Sequence, residues 1–161
     1  MKRLSIYPVL FCFSVLLNAC DSARVFEQNK TIPDSIWDKD NRVNFEVDIT
    51  QPAALYNMYV NVRNAGNYGY SNLFLFMDTR YPDGFVSRDT IECILAAEDG
   101  RWLGDGSGDI FDNRILFRKG FKFPMRGTYR FVIEQGMRQE KLAMIMDVGI
   151  RIELAEQREN R

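Results

Sequence analysis

Residues 42–49 read Arg-Val-Asn-Phe-Glu-Val-Asp-Ile, with Val43, Phe45, Val47 and Ile49 on one face and Asn44, Glu46 and Asp48 on the other. A period of two is what a half-buried strand requires, because successive side chains of a pleated backbone point to opposite sides. Residues 56–63 repeat it, setting Tyr56, Met58, Val60 and Val62 against Asn57, Tyr59, Asn61 and Arg63. Residues 128–134 set Tyr129, Phe131 and Ile133 against Thr128, Arg130, Val132 and Glu134, and residues 146–153 turn Met146, Val148, Ile150 and Ile152 to one side. Further strands are expected at 24–28, 73–77 and 88–96, with short apolar pieces at 115–118 and 121–123. The run 73–77 is apolar on both faces, which predicts a central strand covered on both sides.

Turn chemistry separates these runs at 64–69 (Asn-Ala-Gly-Asn-Tyr-Gly), 81–84 (Tyr-Pro-Asp-Gly), 98–100 and 124–127. Strands 56–63 and 73–77 are expected to pair as a hairpin. Residues 31–41 are polar and turn-rich, and their single Trp37 is expected to plug one end of the core. A glycine-rich loop is expected up to Asn113, and residues 155–161 read as a charged, solvated tail. About eight short strands without a helical period predict one antiparallel β-sandwich, with a closed barrel as the alternative. A lipid-facing barrel is disfavoured, since its strands would carry aromatic girdles and a polar lumen face.

Ahead of these strands stands a different kind of segment. Lys2 and Arg3 precede an apolar run at 4–17, the layout of a secretory signal peptide, and Leu17-Asn18-Ala19-Cys20 follows it. The run is shorter than the ~20 residues that span a bilayer. The order Leu17, small Ala19, Cys20 resembles the lipobox of bacterial lipoproteins, in which the cysteine sulfur takes a diacylglycerol and becomes the new N-terminus. The expected organisation is a signal peptide at 1–19 and a single domain at 20–161, tethered to the membrane through lipid on Cys20. Several acyl chains hold a protein far more firmly than one.

Removal of the leader takes two cations and no anion, so the formal charge falls from −1 to −3. That balance argues against nucleic acid as a partner, which needs a positive surface to neutralise phosphates. Of three cysteines, Cys12 leaves with the leader and Cys20 is committed to lipid, so Cys93 stands alone and no internal disulfide can form. Within its apolar strand Cys93 is expected to be a small buried hydrophobe. The chain has no histidine, which excludes histidine triads and ordinary catalytic zinc sites while leaving carboxylate-pair and serine–lysine chemistry open.

Residues 99–112 hold the densest cluster of special residues. Asp105, Ser107 and Asp109 match the first ligand positions of an EF-hand loop, but Ile110 falls where glycine is required and Leu116 where the closing glutamate belongs. A looser oxygen site from Asp99, Asp105, Asp109 and Asp112 is the remaining metal reading. The preferred one is a structural loop whose Gly104, Gly106 and Gly108 serve positive-φ conformations, with Trp102 folded back onto the sandwich. No metal, cofactor or catalytic residue is therefore expected. Tyr59, Tyr68, Tyr70, Tyr81 and Trp102 are candidates for stacking on sugars, and Asp83, Asp89, Glu92, Glu98, Asp109 and Glu134 are the pool from which a glycosidase pair would be drawn. Loops on a rigid sandwich concentrate recognition residues, which singles out Tyr68, Tyr70, Arg101 and Trp102 as partner-binding candidates.

Taken together, Cys20-Asp21-Ser22, Val25-Phe26-Glu27, Ile32-Pro33-Asp34-Ser35-Ile36-Trp37, Tyr59-Val60-Asn61-Val62-Arg63-Asn64, Tyr70-Ser71-Asn72-Leu73, Gly100-Arg101-Trp102-Leu103-Gly104 and Ile145-Met146-Asp147-Val148-Gly149-Ile150 resemble the GldH family of gliding-motility lipoproteins. The resemblance implies a lipid-anchored protein of the cell envelope, at the outer membrane, working with other motility proteins and the type IX secretion machinery. It implies no catalytic or metal residue. The alternative is a surface lipoprotein that binds or cleaves glycans. Cys20→Ser is expected to leave an unprocessed precursor that incorporates no labelled fatty acid; a variant that still labels and still fractionates with membrane would sink the lipobox reading.

Overall fold

The computed structural model describes residues 21–156, so the leader, Cys20 and the last five residues of the charged tail lie outside the described residues. The described chain forms strands β1 (Arg24–Thr31), β2 (Ile36–Asp38), β3 (Val43–Ile49), β4 (Tyr56–Ala65), β5 (Asn72–Arg80), β6 (Val86–Ile94), β7 (Asp105–Ser107), β8 (Ile110–Phe121), β9 (Gly127–Gln135), β10 (Lys141–Ala143) and β11 (Ile145–Leu154). Strands β2, β7 and β10 are three residues each. The other eight build the all-β sandwich that the alternation predicts.

One sheet has the order β1-β11-β4-β8-β7 and the facing sheet the order β3-β9-β5-β6, while β2 and β10 form a two-stranded ribbon. Every paired ladder is antiparallel. The two inner faces interleave Val60, Val62, Val148, Ile150 and Ile152 with Phe45, Leu75, Met77, Phe131 and Ile133, all essentially sealed from solvent. Each such side chain contributes about 1.5–3 kcal/mol when fully buried. Cys93, the one cysteine among the described residues, is free, so this packing holds the fold there without a disulfide. Trp37 is fully buried as expected, its indole N–H donating to the carbonyl of Asn41 at 2.9 Å.

Four expectations are corrected. Strands 56–63 and 73–77 do not pair: β4 and β5 lie in opposite sheets, and β5 makes its hairpin with β6 over the turn at 81–85. Period two marks the inward face and leaves open whether the next strand lies beside it or across the core. Strand β5 is central but not covered on both sides, since Phe74 is exposed. The glycine-rich loop and the two pieces at 115–123 are instead the β7–β8 hairpin, whose second strand runs unbroken through twelve residues. On β11 a register shift between Ile145 and Asp147 sends Ile145 into the core and leaves Met146 only half-buried.

Antiparallel pairing gives the molecule two poles. Strand β1 begins, β4 begins, β8 ends and β11 ends at one pole, which also holds Asp21, the residue that follows Cys20 in the sequence. The same pole receives the end of β3, the start of β9 and the β5–β6 turn. Aromatic rings tie the two sheets together there: Phe123 lies 5.2 Å from Tyr56 and 4.7 Å from Tyr129, and Tyr129 lies 5.3 Å from Tyr81. We call this the proximal pole and the opposite end the distal pole.

Gly149 sits where β11 meets β1, and a Cβ there would stand 2.6 Å from the backbone carbonyl oxygen of Gln28. Backbone cannot step aside as a flexible side chain can. Gly149→Ala is expected to cost about 1–3 kcal/mol by forcing β1 off its ladder, measured by denaturant titration; an unchanged midpoint would contradict the β1–β11 register.

Candidate functional site

Three connections converge at the distal pole. The β4–β5 connection is pinned by the Ala65 N–H to the Met144 carbonyl at 3.0 Å and the Gly66 N–H to the Asp109 carbonyl at 2.6 Å. It delivers Tyr68 and Tyr70. The β6–β7 connection folds back through an isolated bridge between Ala96 and Trp102. Asp99 shapes it by accepting the Arg101 N–H at 3.0 Å, and the Arg101 carbonyl accepts the Ala97 N–H at 2.9 Å. Strand β8 supplies Phe111.

The rings meet in series: Tyr70 to Tyr68 at 5.6 Å, Tyr68 to Trp102 at 6.4 Å, Trp102 to Phe111 at 5.7 Å. Three of the four partner-binding candidates are thus brought together. They do different work. Tyr68 is buried at 5% exposure, its hydroxyl donating to the Asn72 carbonyl at 3.1 Å, and burial pushes its pKa up. Tyr70 stands out at 38% and Arg101 is exposed, while Trp102 is half-buried against the core as its position in the loop predicts. The rings are tilted by 30° to 65°, so they form a packed ridge and not a flat stacking platform.

The glycines of this loop are corrected in part. Gly108 has φ of +69°, in the left-handed region, but Gly104 and Gly106 serve close approach. A Cβ on Gly106 would lie 2.8 Å from the Phe111 ring, and one on Gly104 would lie 2.8 Å from the Asp112 carbonyl oxygen. The acidic candidates are dispersed. Asp105 and Asp112 face each other across the β7–β8 ladder, Asp109 lies in its turn, Asp99 caps its own turn, and Asp112 pairs with Arg63 at 2.6 Å. Among the described residues no group of three or more acidic or cysteine side chains converges on a metal-sized site. Asp89 is held by Arg118 at 2.7 Å and Glu134 by Arg88 at 3.0 Å, whereas Asp83 sits in the proximal turn and Glu98 in a distal loop. Cys93 is fully buried and its pKa is pushed up to about 12 by burial, which leaves the thiol protonated and unreactive at neutral pH.

A second cluster, on the outer face of the five-stranded sheet, had no signal in the sequence beyond an arginine set between two isoleucines. Arg151 of β11 is buried, and its guanidinium bonds Asp21 at 2.6 Å, Glu27 at 2.7 Å and Glu153 at 2.9 Å. Tyr59 joins by donating its hydroxyl to Glu153 at 2.6 Å, and Asn61 by donating to Glu27 at 3.0 Å. Toward the distal side the same face opens into a polar groove of about 400 Å³ lined by Asn29, Asn61, Arg63, Asp112 and Asp147.

The match to known proteins decides the family. The model for the GldH lipoprotein matches residues 24–152, which takes in the aromatic ridge together with Arg151 and Glu27 of the second cluster. The chain belongs to the GldH lipoprotein family. It is 37% identical over 152 residues to the gliding motility lipoprotein GldH homolog of Christiangramia forsetii, covering 89% of this chain and 93% of that one. It is 36% identical over 152 residues to the gliding motility lipoprotein GldH of Flavobacterium johnsoniae, covering 90% of this chain and 94% of that one. Among solved structures the Yersinia pseudotuberculosis-derived mitogen aligns over 84% of this chain and 91% of its own, with 6% identity and a TM-score of 0.33, too low to argue a shared fold.

In this GldH-family chain the Arg151 cluster is an electrostatic fastener. Burial alone would raise the pKa of Glu27 and of Glu153, but hydrogen bonds from Arg151, Asn61 and Tyr59 outweigh it and both are held low. Hydrogen bonding to Arg151 likewise lowers Asp21, and the carboxylates outweigh burial to raise Arg151 itself. Carboxylates with depressed pKa stabilise the fold above the ordinary carboxylate range and lose that contribution as pH falls through their folded values. Arg151→Met reverses the sign, because three crowded carboxylates without a cation resist ionising. The variant is expected to lose on the order of 1–3 kcal/mol at neutral pH, less than a fully buried pair because the carboxylates are partly solvated, and the gap to wild type should close in acid. Melting curves from pH 7 to 3 test this, and a gap that stays constant would refute the fastener.

Proposed function

We propose that this chain is a lipoprotein of the gliding apparatus, anchored through Cys20, that assembles other envelope proteins, including type IX secretion components, by contacts at its distal pole. The supporting observation is convergence: two separate connections bring Tyr68, Tyr70 and Trp102 into one ridge, with Arg101 exposed beside it, at the pole opposite Asp21. An aromatic with an exposed edge and a neighbouring arginine are the residue types that dominate protein interfaces. Tyr68 supports the ridge from beneath, and Tyr70, Arg101 and the open edge of Trp102 form the contact. Family membership and the names of the two relatives support the motility role. In this reading residues 1–19 are the leader, residues 20–161 the working domain, and the outer membrane its site.

Anchoring multiplies weak contacts. Confinement to one surface raises the effective concentration of tethered partners, so a small ridge suffices to hold a complex. Glu27 and Glu153 on the outer face are each bound to Arg151 and held ionised, which suits them to holding the sheet and not to donating protons. Tyr70→Ala and Arg101→Ala, together, are expected to abolish co-purification of motility or secretion partners after mild crosslinking with melting temperature unchanged, and to impair movement where the host glides. Tyr68→Ala should instead lower the melting temperature. Variants that keep their partners, alongside an Asp109→Asn change that abolishes function without loss of stability or binding, would replace assembly with catalysis.

A further inference from the structure

We infer that the proximal pole is a membrane-resting surface, with Phe85 and Val86 seated in the phospholipid bilayer that holds the Cys20 lipid. The inference rests on the Cys20 anchor and adds what the anchor alone does not give, a fixed orientation of the domain.

The tether has no slack. Cys20 is one peptide bond, about 3.8 Å between Cα atoms, from Asp21. Asp21 is in turn gripped by Arg151 at 2.6 Å, and the Leu154 N–H donates to the Ala23 carbonyl at 2.8 Å. Lipid inserted at Cys20 therefore brings the whole pole to the headgroups instead of letting the domain swing on a linker.

What this pole presents is suited to that contact. Phe85 is 62% exposed and Val86 46%, side by side at the tip of the β5–β6 hairpin. Phe85 is not a loose side chain: its ring packs 5.3 Å from Tyr81, its N–H donates to Asp83 at 3.0 Å, and its carbonyl accepts the Tyr81 N–H at 2.8 Å. An apolar residue held rigidly outward leaves most of its surface uncovered by the chain. At the same pole Arg80, Lys119, Lys122 and Arg126 are exposed and make no ion pair among the described residues. Asp48, Asp83 and Glu156 are the free acids of this end, and they do not outnumber the cations. At the distal pole Asp34, Asp40, Glu98, Asp99, Asp105, Asp109 and Glu140 stand exposed among Lys39, Arg101, Arg138 and Lys141, so acids outnumber cations there. An apolar tip that shares its pole with exposed lysine and arginine is the pattern of an interfacial membrane contact, and the acidic end is repelled by anionic lipid.

Lipid at the β1 edge and the Phe85 tip near the β6 edge give two separated points of attachment, because β1 flanks β3 on one side of the sandwich and β6 flanks β8 on the other. Two points fix a tilt where one does not. The pole then lies flat and the Tyr70–Trp102 ridge faces away from the bilayer.

The test uses the full acylated protein in vesicles of phosphatidylethanolamine and phosphatidylglycerol, carrying a polarity-sensitive fluorophore on Phe85→Cys, on Val86→Cys or, at the distal pole, on the exposed Ile36→Cys. Buried Cys93 does not take the label. Labels at 85 and 86 are expected to shift to the blue and to be quenched several-fold more by lipid-borne quenchers than the label at 36, with the reverse order for aqueous iodide. Acylated, folded protein whose labels at 85 and 86 are as open to iodide as the label at 36 would overturn the resting surface and leave the anchor standing. Intact mass reports the anchor separately: absence of acyl chains on Cys20 would defeat the anchor and this orientation with it.

Discussion

Strand β11 is paired along both edges, to β1 and to β4, and buried on both faces, so it cannot be displaced without opening the five-stranded sheet. Val148, Ile150 and Ile152 fill the core from one face. On the other face stands Arg151, whose charge is tolerated there only because three carboxylates surround it. Those carboxylates come from the chain's first described residue, from β1 and from β11 itself, so a single guanidinium closes the sheet across its edge strand. Gly149 makes the same closure possible sterically, since any side chain there would collide with β1.

The alternation alone made most of the fold legible. Every inward residue expected on β3, β4 and β9 is buried, and the eight longer strands match the number expected. What it left open was topology. A face that is apolar on every second residue specifies that it looks inward, and neighbours beside and across the core satisfy it equally. The β4–β5 connection crosses between sheets because its backbone is pinned to Met144 and Asp109, residues far away in sequence. The β7–β8 hairpin was hidden for a different reason: a segment of alternating glycine and acid has no apolar face to read, and Gly104 and Gly106 are explained by neighbours that sequence does not show. The β2–β10 ribbon is three residues on each side, too short for any period.

The candidate site was legible in part. Turn composition pointed to the loops that carry Tyr68, Tyr70, Arg101 and Trp102, and those loops do meet. That Tyr68 lies beneath the others could not be read, because an aromatic residue in a turn has the same composition whether it faces in or out. The Arg151 fastener was invisible for a related reason, since its partners lie up to 130 residues away. Family membership joins these features in a lipid-anchored envelope protein; in the proposed reading its two poles serve as a membrane end and a recognition end.

The direction of β1 has a mechanical consequence. In the proposed arrangement, with lipid on Cys20 just ahead of it and partners at the far pole, tension between them would run along the strand axis, parallel to β11. Seven register pairs, from Arg24 opposite Glu153 to Thr31 opposite Asp147, then resist in shear, all loaded at once, with the Arg151 clamp at the pulled end. A strand peeled from its edge would release its bonds singly, whereas this one must break them together. A domain held this way would bear being hauled on from its anchor without unravelling.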